Sequence, residues 1–335
     1  MELINKQRIL NKLFFYFLGL VWGSIFNLGS LNAQEIFPNK PIRLITLTPP
    51  GGSLDILART IAQGLTEQLK QTILVDNKTG AGGNLGANIV AKSVPDGYTI
   101  GMVTIATHGI NPSLYGNKMP FNPIKDFSPI TLAAELKNIL VVNPSLPIRT
   151  VQELVAYSKA NPGKLSFGSA GAGTSQHLAG EMLKIFAQVD VVHIPYKGLA
   201  QAVPDLISGQ IQFMFSLIPD SLPHIRSGKL RAIGIASPRR SPITPDIVPI
   251  SEQGYPGFEV VGWFGVVAPA GTPKEIINRY NKEILNVLSQ SEVRERLSNM
   301  GMDVNTTTPE QFGNYISSEI TKWATLVKNS GASVE

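Results

Sequence analysis

Between residues 41 and 111 a short β-forming run leads three times through a turn into a helical or polar stretch, and this grammar constrains the fold more than any other feature. Pro41–Leu47 is β-rich, and Thr48-Pro49-Pro50-Gly51-Gly52-Ser53 after it can only be a turn. Leu54, Leu57, Ala58, Ile61, Leu65 and Leu69 then recur at three- and four-residue spacing, which predicts one apolar helix face with Ser53 as its N-cap. Thr72–Val75 repeats the strand, the loop from Asn77 to Gly83 repeats the turn, and a helix is predicted from about Asn84. A third strand, Tyr98–Thr104, runs into a loop holding Thr107, His108 and Asn111. Such β-loop-α units in series predict a parallel sheet with helices on its faces, an α/β fold.

After Pro144 the grammar restarts. Val151–Ala160 is expected as a helix and Lys164–Gly168 as a strand. The loop from Ser169 to Thr174 then opens a helix carrying Leu178, Met182 and Phe186. Further strands are expected at Val191–Ile194, Ile211–Phe215 and Leu230–Ala236. Together these make two parallel-sheet units of about 100 residues each. The last third closes with two helices, announced by Thr272-Pro273-Lys274-Glu275 and Thr308-Pro309-Glu310-Gln311, each read as an N-cap Thr, a first-turn Pro and a capping-box partner. Phe312, Tyr315, Ile316, Ile320, Trp323 and Val327 form a packing stripe on the second.

Composition narrows the function. The chain has 335 residues, 43% of them hydrophobic, which suits two folded domains rather than a disordered chain. With no cysteine, disulfides, thiolate metal sites and cysteine nucleophiles are excluded. The four histidines, at 108, 177, 193 and 224, lack a metal-binding spacing, so no metal or cofactor is expected.

At the N-terminus, Lys6, Arg8 and Lys12 precede an apolar run from Leu13 to about Gly29, with Ala33 at a polar boundary. This pattern matches a secretory signal peptide cleaved after Ala33; a retained membrane anchor is the alternative. Such a segment predicts an exported protein. Without residues 1–33 the chain keeps 26 basic against 23 acidic side chains. So mild a balance, without basic runs, argues against nucleic acid as a partner.

The glycine-rich loops carry the informative chemistry. In open parallel sheets ligands settle beyond the carboxyl ends of strands, where loops enter helices. The unpaired N–H groups of a first helical turn and the helix dipole both favour an anion there. Such a loop stands at residues 50–53 and another at 168–174, and two facing loops would clamp a carboxylate. The plainer alternative is that any α/β protein needs Gly and Pro at tight turns. Asp55 suits either dipole compensation or the role of acceptor for a ligand amine or hydroxyl, and His177 either a helical packing position or a ligand contact. Gly80-Ala81-Gly82-Gly83-Asn84-Leu85-Gly86 spaces its third glycine one place late for a dinucleotide loop. There is no phosphate-loop motif, and Gly168-Ser169-Ala170-Gly171 is not a hydrolase elbow.

Seven segments in order sharpen this: Pro49–Asp55 (PPGGSLD), Gly80–Asn84 (GAGGN), Pro95–Tyr98 (PDGY), Ala160–Lys164 (ANPGK), Thr174–Gly180 (TSQHLAG), Val192–Gly198 (VHIPYKG) and Ala268–Pro273 (APAGTP). Together, over about residues 37 to 335, the chain resembles the substrate-binding receptors of tripartite tricarboxylate transporters, the Bug family. The resemblance implies a two-domain, type II periplasmic-binding-protein-like fold with crossing hinge strands. It assigns 34–133 to domain one, 134–234 to domain two and 235–335 to a return into domain one. It implies a periplasmic receptor, not an enzyme, that holds a small carboxylated solute in its cleft and docks on a permease with one large and one small subunit; a monomer is expected. Carried onto this chain, the domain-one contacts are Gly51, Gly52, Ser53 and Asp55, with Thr107 and His108 nearby. Those of domain two are Ser169, Gly171, Thr174 and His177, with Lys197 as a charge partner. Where the family often has a cleft Asp after the strand 211–215, this chain has Ser216, which would remove a handle for a ligand amine. The rival functions are the same module acting as a sensor and a secreted hydrolase, the latter needing a nucleophile–base pair. Loops plugged by the protein's own side chains would defeat the two-loop clamp.

Overall fold

The structure, a computed structural model, describes residues 37–330. The chain divides into two units between residues 39 and 40, and the fold below belongs to the second. The expected signal peptide lies outside the described residues. Among the described residues no helix is long and apolar enough to cross a membrane.

Strand β1 (Ile42–Thr46) pairs in parallel with β2 (Ile73–Asn77) on one side and β3 (Thr99–Thr104) on the other. Helix α1 (Ser53–Leu69) connects the first two strands, and all six apolar residues of its expected face are buried. That periodicity decided the packing because burying each such side chain contributes roughly 1.5–3 kcal/mol. Helix α2 (Asn84–Ala91) leads to β3, and a wide helical turn at 106–110 then runs into the short α3 (Asn111–Tyr115).

The next strand, β4 (Phe127–Val142), is 16 residues long and was not anticipated from the sequence. It ties the molecule together. Residues 127–137 pair antiparallel with β9 (Val261–Pro269), which itself lies against β3. From Asn138 onward β4 instead pairs with β7 (Phe213–Leu217) and β8 (Arg231–Ile235). Beyond β7 lie β5 (Ser166–Ser169) and β6 (Val192–Pro195), both parallel to their neighbours. The path is therefore β2-β1-β3-β9-β4-β7-β5-β6, with a mainly parallel group at each end and antiparallel strands between. The return passes beside the crossing: Ala236 N donates to Asn138 O, Val260 N to Ala236 O, and Asn138 Nδ2 to Val260 O.

Helices α4 (Val151–Ala160), α5 (Ser175–Ala187), α6 (Leu199–Ser208) and α7 (Ile218–Arg226) flank the second group. After β9 the chain forms α8 (Lys274–Ser289), α9 (Ser291–Asn299), β10 (Met302–Val304, paired with β4) and α10 (Pro309–Ser330). The last third thus holds three helices, where two were expected. On α10 the reciprocal Thr308/Gln311 box forms, whereas on α8 Thr272 Oγ1 donates to Pro269 O and caps nothing. In the α10 stripe Phe312, Ile316, Trp323 and Val327 are buried, and Glu319 among them accepts both the Trp263 and Trp323 indole N–H groups.

Candidate functional site

A cavity of about 280 Å3 lies between the two strand groups, at the carboxyl ends of β1, β3, β5, β6 and β7. That volume sits near the lower end of the ~300–1,000 Å3 usual for small-molecule sites. Its floor and walls are largely apolar, from Leu47, Leu54, Ile105, Leu199, Leu217 and Phe264. Its charged lining side chains are Lys197, exposed at the rim, and Asp220, half-buried.

On the α1 side two backbone amides, those of Gly51 and Ser53, are committed to carboxylates of the protein, while those of Gly52 and Leu54 have no acceptor among the described residues. Gly52, not Ser53, is the N-cap, and no side chain caps this helix. Ser53 turns its hydroxyl across the cleft instead: its Oγ donates to Asp220 Oδ2 at 2.8 Å and its N–H to Asp220 Oδ1 at 3.0 Å. The Gly51 N–H goes to Asp55 Oδ2 at 3.0 Å. Asp55 is buried and also takes Arg59 Nε at 2.9 Å and Asn77 Nδ2 at 2.8 Å. Burial alone would raise its pKa; these hydrogen bonds outweigh burial and hold it below the usual carboxylate value. For Asp220 burial wins, and its pKa is raised despite the Ser53 bonds.

The α5 side is organised differently. Thr174 is the N-cap, accepting the His177 N–H and donating to Gly171 O at 2.8 Å. Ser169 Oγ accepts the Gly171 N–H, and His177 Nδ1 accepts the Gly173 N–H, both at 3.1 Å. Behind the loop the His177 and His193 rings stack with centroids 4.0 Å apart, and His193 Nε2 lies 2.7 Å from Ser169 Oγ. Burial keeps both imidazoles neutral, His177 down to about 4 and His193 to about 3, with the Lys184 charge adding to each and His177 to the latter. The loop is therefore propped from behind by uncharged acceptors. Among the described residues, nothing accepts from the N–H groups of Ser175 and Gln176, and both residues line the cavity.

Of the twelve residues singled out from the sequence, Gly52, Ser53, Gly171, Thr174 and Lys197 line this cavity. Gly51, Asp55, Ser169 and His177 stand one layer back and hold the loops. Thr107 and His108 are buried in the turn after β3, where the His108 ring packs against Phe121 and Phe127 and burial takes its pKa down to about 3. Ser216 is buried in β7 and its hydroxyl donates to Leu217 O. The anion expected to be missing from the cleft is supplied by Asp220, four residues further on.

Other wall residues escaped the sequence analysis. Gly80, Ala81, Gly82 and Gly83, set aside as a nucleotide loop, line the cavity. All four have positive φ, and a Cβ on Gly82 would come within 2.6 Å of Ala172 O across the cleft. Tyr196 also lines the cavity; its hydroxyl donates to Asp205 Oδ2 at 2.7 Å, and burial first, then that bond, raises it to about 12. Thr48 Oγ1 is buried beside the cavity with no partner among the described residues.

Ser169 and His193 form a hydroxyl–imidazole pair at hydrogen-bond distance, the geometry a hydrolase would need. Ser169, however, is fully buried and absent from the cavity wall, with its oxygen engaged by the Gly171 backbone.

Residues 57–332 match the family model described as the tripartite tricarboxylate transporter family receptor. Among solved structures, the periplasmic binding protein BugD is 34% identical with a TM-score of 0.85, covering 89% of this chain and 100% of its own. Rpa4515 of R. palustris with adipate is 32% identical with a TM-score of 0.86, covering 89% and 99%. MatC from Rhodopseudomonas palustris with bound malate is 32% identical with a TM-score of 0.83, covering 87% and 100%. These neighbours are periplasmic binding proteins of the type II class. The match across most of the chain and the shared architecture place this protein in the tripartite tricarboxylate transporter family of solute-binding receptors.

Proposed function

We propose that this receptor works in the periplasm, where it captures a small carboxylated solute in the cavity between its two strand groups and delivers it to a membrane permease of one large and one small subunit. The observation that carries the reading is the pair of uncommitted amides, Ser175 and Gln176, opening a 13-residue helix at the cavity wall. A carboxylate there gains the helix-end interaction, roughly 0.3–1 kcal/mol when exposed and up to ~2 when partly buried. Charge-assisted hydrogen bonds add to it. Thr48 Oγ1 and Lys197 are further polar groups within the same wall. Adipate and malate in two similar proteins support the carboxylate class.

In this reading the two strand groups are domains that hinge at Lys137–Asn138 and at the Ala236 and Val260 crossing. Solute favours the closed state only by contacting both sides at once. The placement of Ser169 supports binding without chemistry, since its imidazole partner, His193, lies behind the wall rather than in it. A thermal-shift screen of carboxylic acids on the mature protein tests the proposal. Stabilisation by one or more acids is expected; stabilisation by a neutral sugar and by no acid overturns it.

A further inference from the structure

We infer that Asp220 is a specificity-determining residue: it occupies the α1 end of the cavity with the protein's own carboxylate, so the preferred solute carries a single acid group, seated at α5. This rests on the proposed carboxylate site and narrows its substrate class. The geometry is direct. Both Asp220 oxygens are engaged by Ser53, one through the backbone N–H and one through the hydroxyl, from an element 167 positions away. The helix terminus that would otherwise attract an anion is already matched by one.

The amides left open on the α1 turn, those of Gly52 and Leu54, flank the one that Asp220 holds. Gly51 N–H is committed to Asp55, so a second solute carboxylate would have to share the Gly52–Leu54 backbone with Asp220 at contact distance. An ideal Cβ on Gly52 would lie only 3.6 Å from Asp220 Oδ1, which shows how closely the carboxylate covers this turn. Two carboxylates that close cannot both keep their charge in a partly dry site, so a second solute acid group would bind there only with a proton taken up on one of the pair. The single rim cation, Lys197, matches one solute charge. The remaining wall, built from Leu47, Ile105, Leu199, Leu217 and Phe264, suits an apolar body.

Matched pairs of straight-chain acids test this by titration calorimetry on the whole protein: hexanoate against adipate, and butyrate against succinate. The wild type is expected to bind each monoacid at least tenfold more tightly than its diacid. D220N, which keeps an oxygen for the Ser53 N–H but loses the charge, is expected to lose at least tenfold of that preference, and D220E to retain it. If D220N does not fold, as judged by its ligand-free melt, D220S serves in its place. A wild type that prefers the diacids, or a ratio unchanged on removing the charge, overturns the inference while leaving the receptor reading intact. Binding of a neutral sugar and of none of the four acids would instead bring down the receptor reading itself, and this inference with it.

Discussion

The two glycine-rich turns that face each other across the cavity look alike in sequence yet differ in what they leave open. At α1 the Gly51 and Ser53 donors end on carboxylates, Asp55 from the same turn and Asp220 from the opposite side. At α5 the inner donors end on neutral groups, the Ser169 hydroxyl and the His177 imidazole, while Ser175 and Gln176 remain open. A helix terminus attracts an anion only while its dipole is uncompensated. The α1 end therefore already holds carboxylates of the protein, Asp55 and Asp220, while the α5 end has none in its first turn.

Substitutions on each turn can break or sharpen that contrast. The largest effect is expected at Gly173, where φ is +79° and a Cβ would meet Asn111 Oδ1 at 2.0 Å. Gly173→Ala should cost about 3 kcal/mol or more in urea unfolding, from left-handed strain and overpacking together. Gly51, its counterpart at α1, has φ +89° but nothing within 4 Å of a Cβ. There Gly51→Ala should cost only about 1 kcal/mol. Equal losses at the two glycines would mean that the α5 turn is no more tightly packed than α1.

A second test removes the neutral prop. His177→Phe retains a ring to stack on His193 but leaves the Gly173 N–H without its acceptor, a loss of about 1–3 kcal/mol. The pH dependence has a definite sign. The folded His177 value, about 4, lies below the ordinary 6.5, so the unfolded chain binds more protons between the two. Its contribution is complete above about pH 6.5 and lost as pH falls toward 4, about 2 kcal/mol of it by pH 5. Stability measured across pH 4–6.5 should be less steep in His177→Phe; an unchanged slope would show that another group governs it.

Next in size, Asp55→Ala strips Gly51, Asn77 and Arg59 of a shared acceptor and should destabilise by about 1–2 kcal/mol at neutral pH. The folded carboxyl is held low, so this contribution is present above the ordinary Asp value and disappears as pH falls through the folded one. The difference between wild type and Asp55→Ala should therefore narrow as pH falls below the ordinary Asp value, as unfolding across the acid range would report. The smallest effect belongs to Ser53→Ala, about 1 kcal/mol, because the side chain caps no helix and only its bond to Asp220 is lost.

Much of this was legible beforehand for a physical reason: strand runs, turn residues and a 3.6-residue apolar stripe are local signals, and each reports on its own neighbourhood. The α1 face from Leu54 to Leu69 is the plainest case, since every expected residue of it is buried. Strand β4 was missed because it lacks the alternation of a half-exposed strand. Most of it is buried on both faces and it changes partners at Asn138, which no local pattern encodes. Ser53 was misplaced as a cap because the competing acceptor, Asp220, stands 167 residues away.

By itself the sequence determined the α/β class, the two glycine-rich turns and the helices they open, because backbone preference and apolar spacing act over a few residues. Only the tertiary structure decided which amides stay free. Whether a buried N–H is satisfied depends on whichever oxygen or nitrogen the fold brings within about 3 Å, and at these turns some of those atoms, Asp220 above all, come from the far side of the cleft.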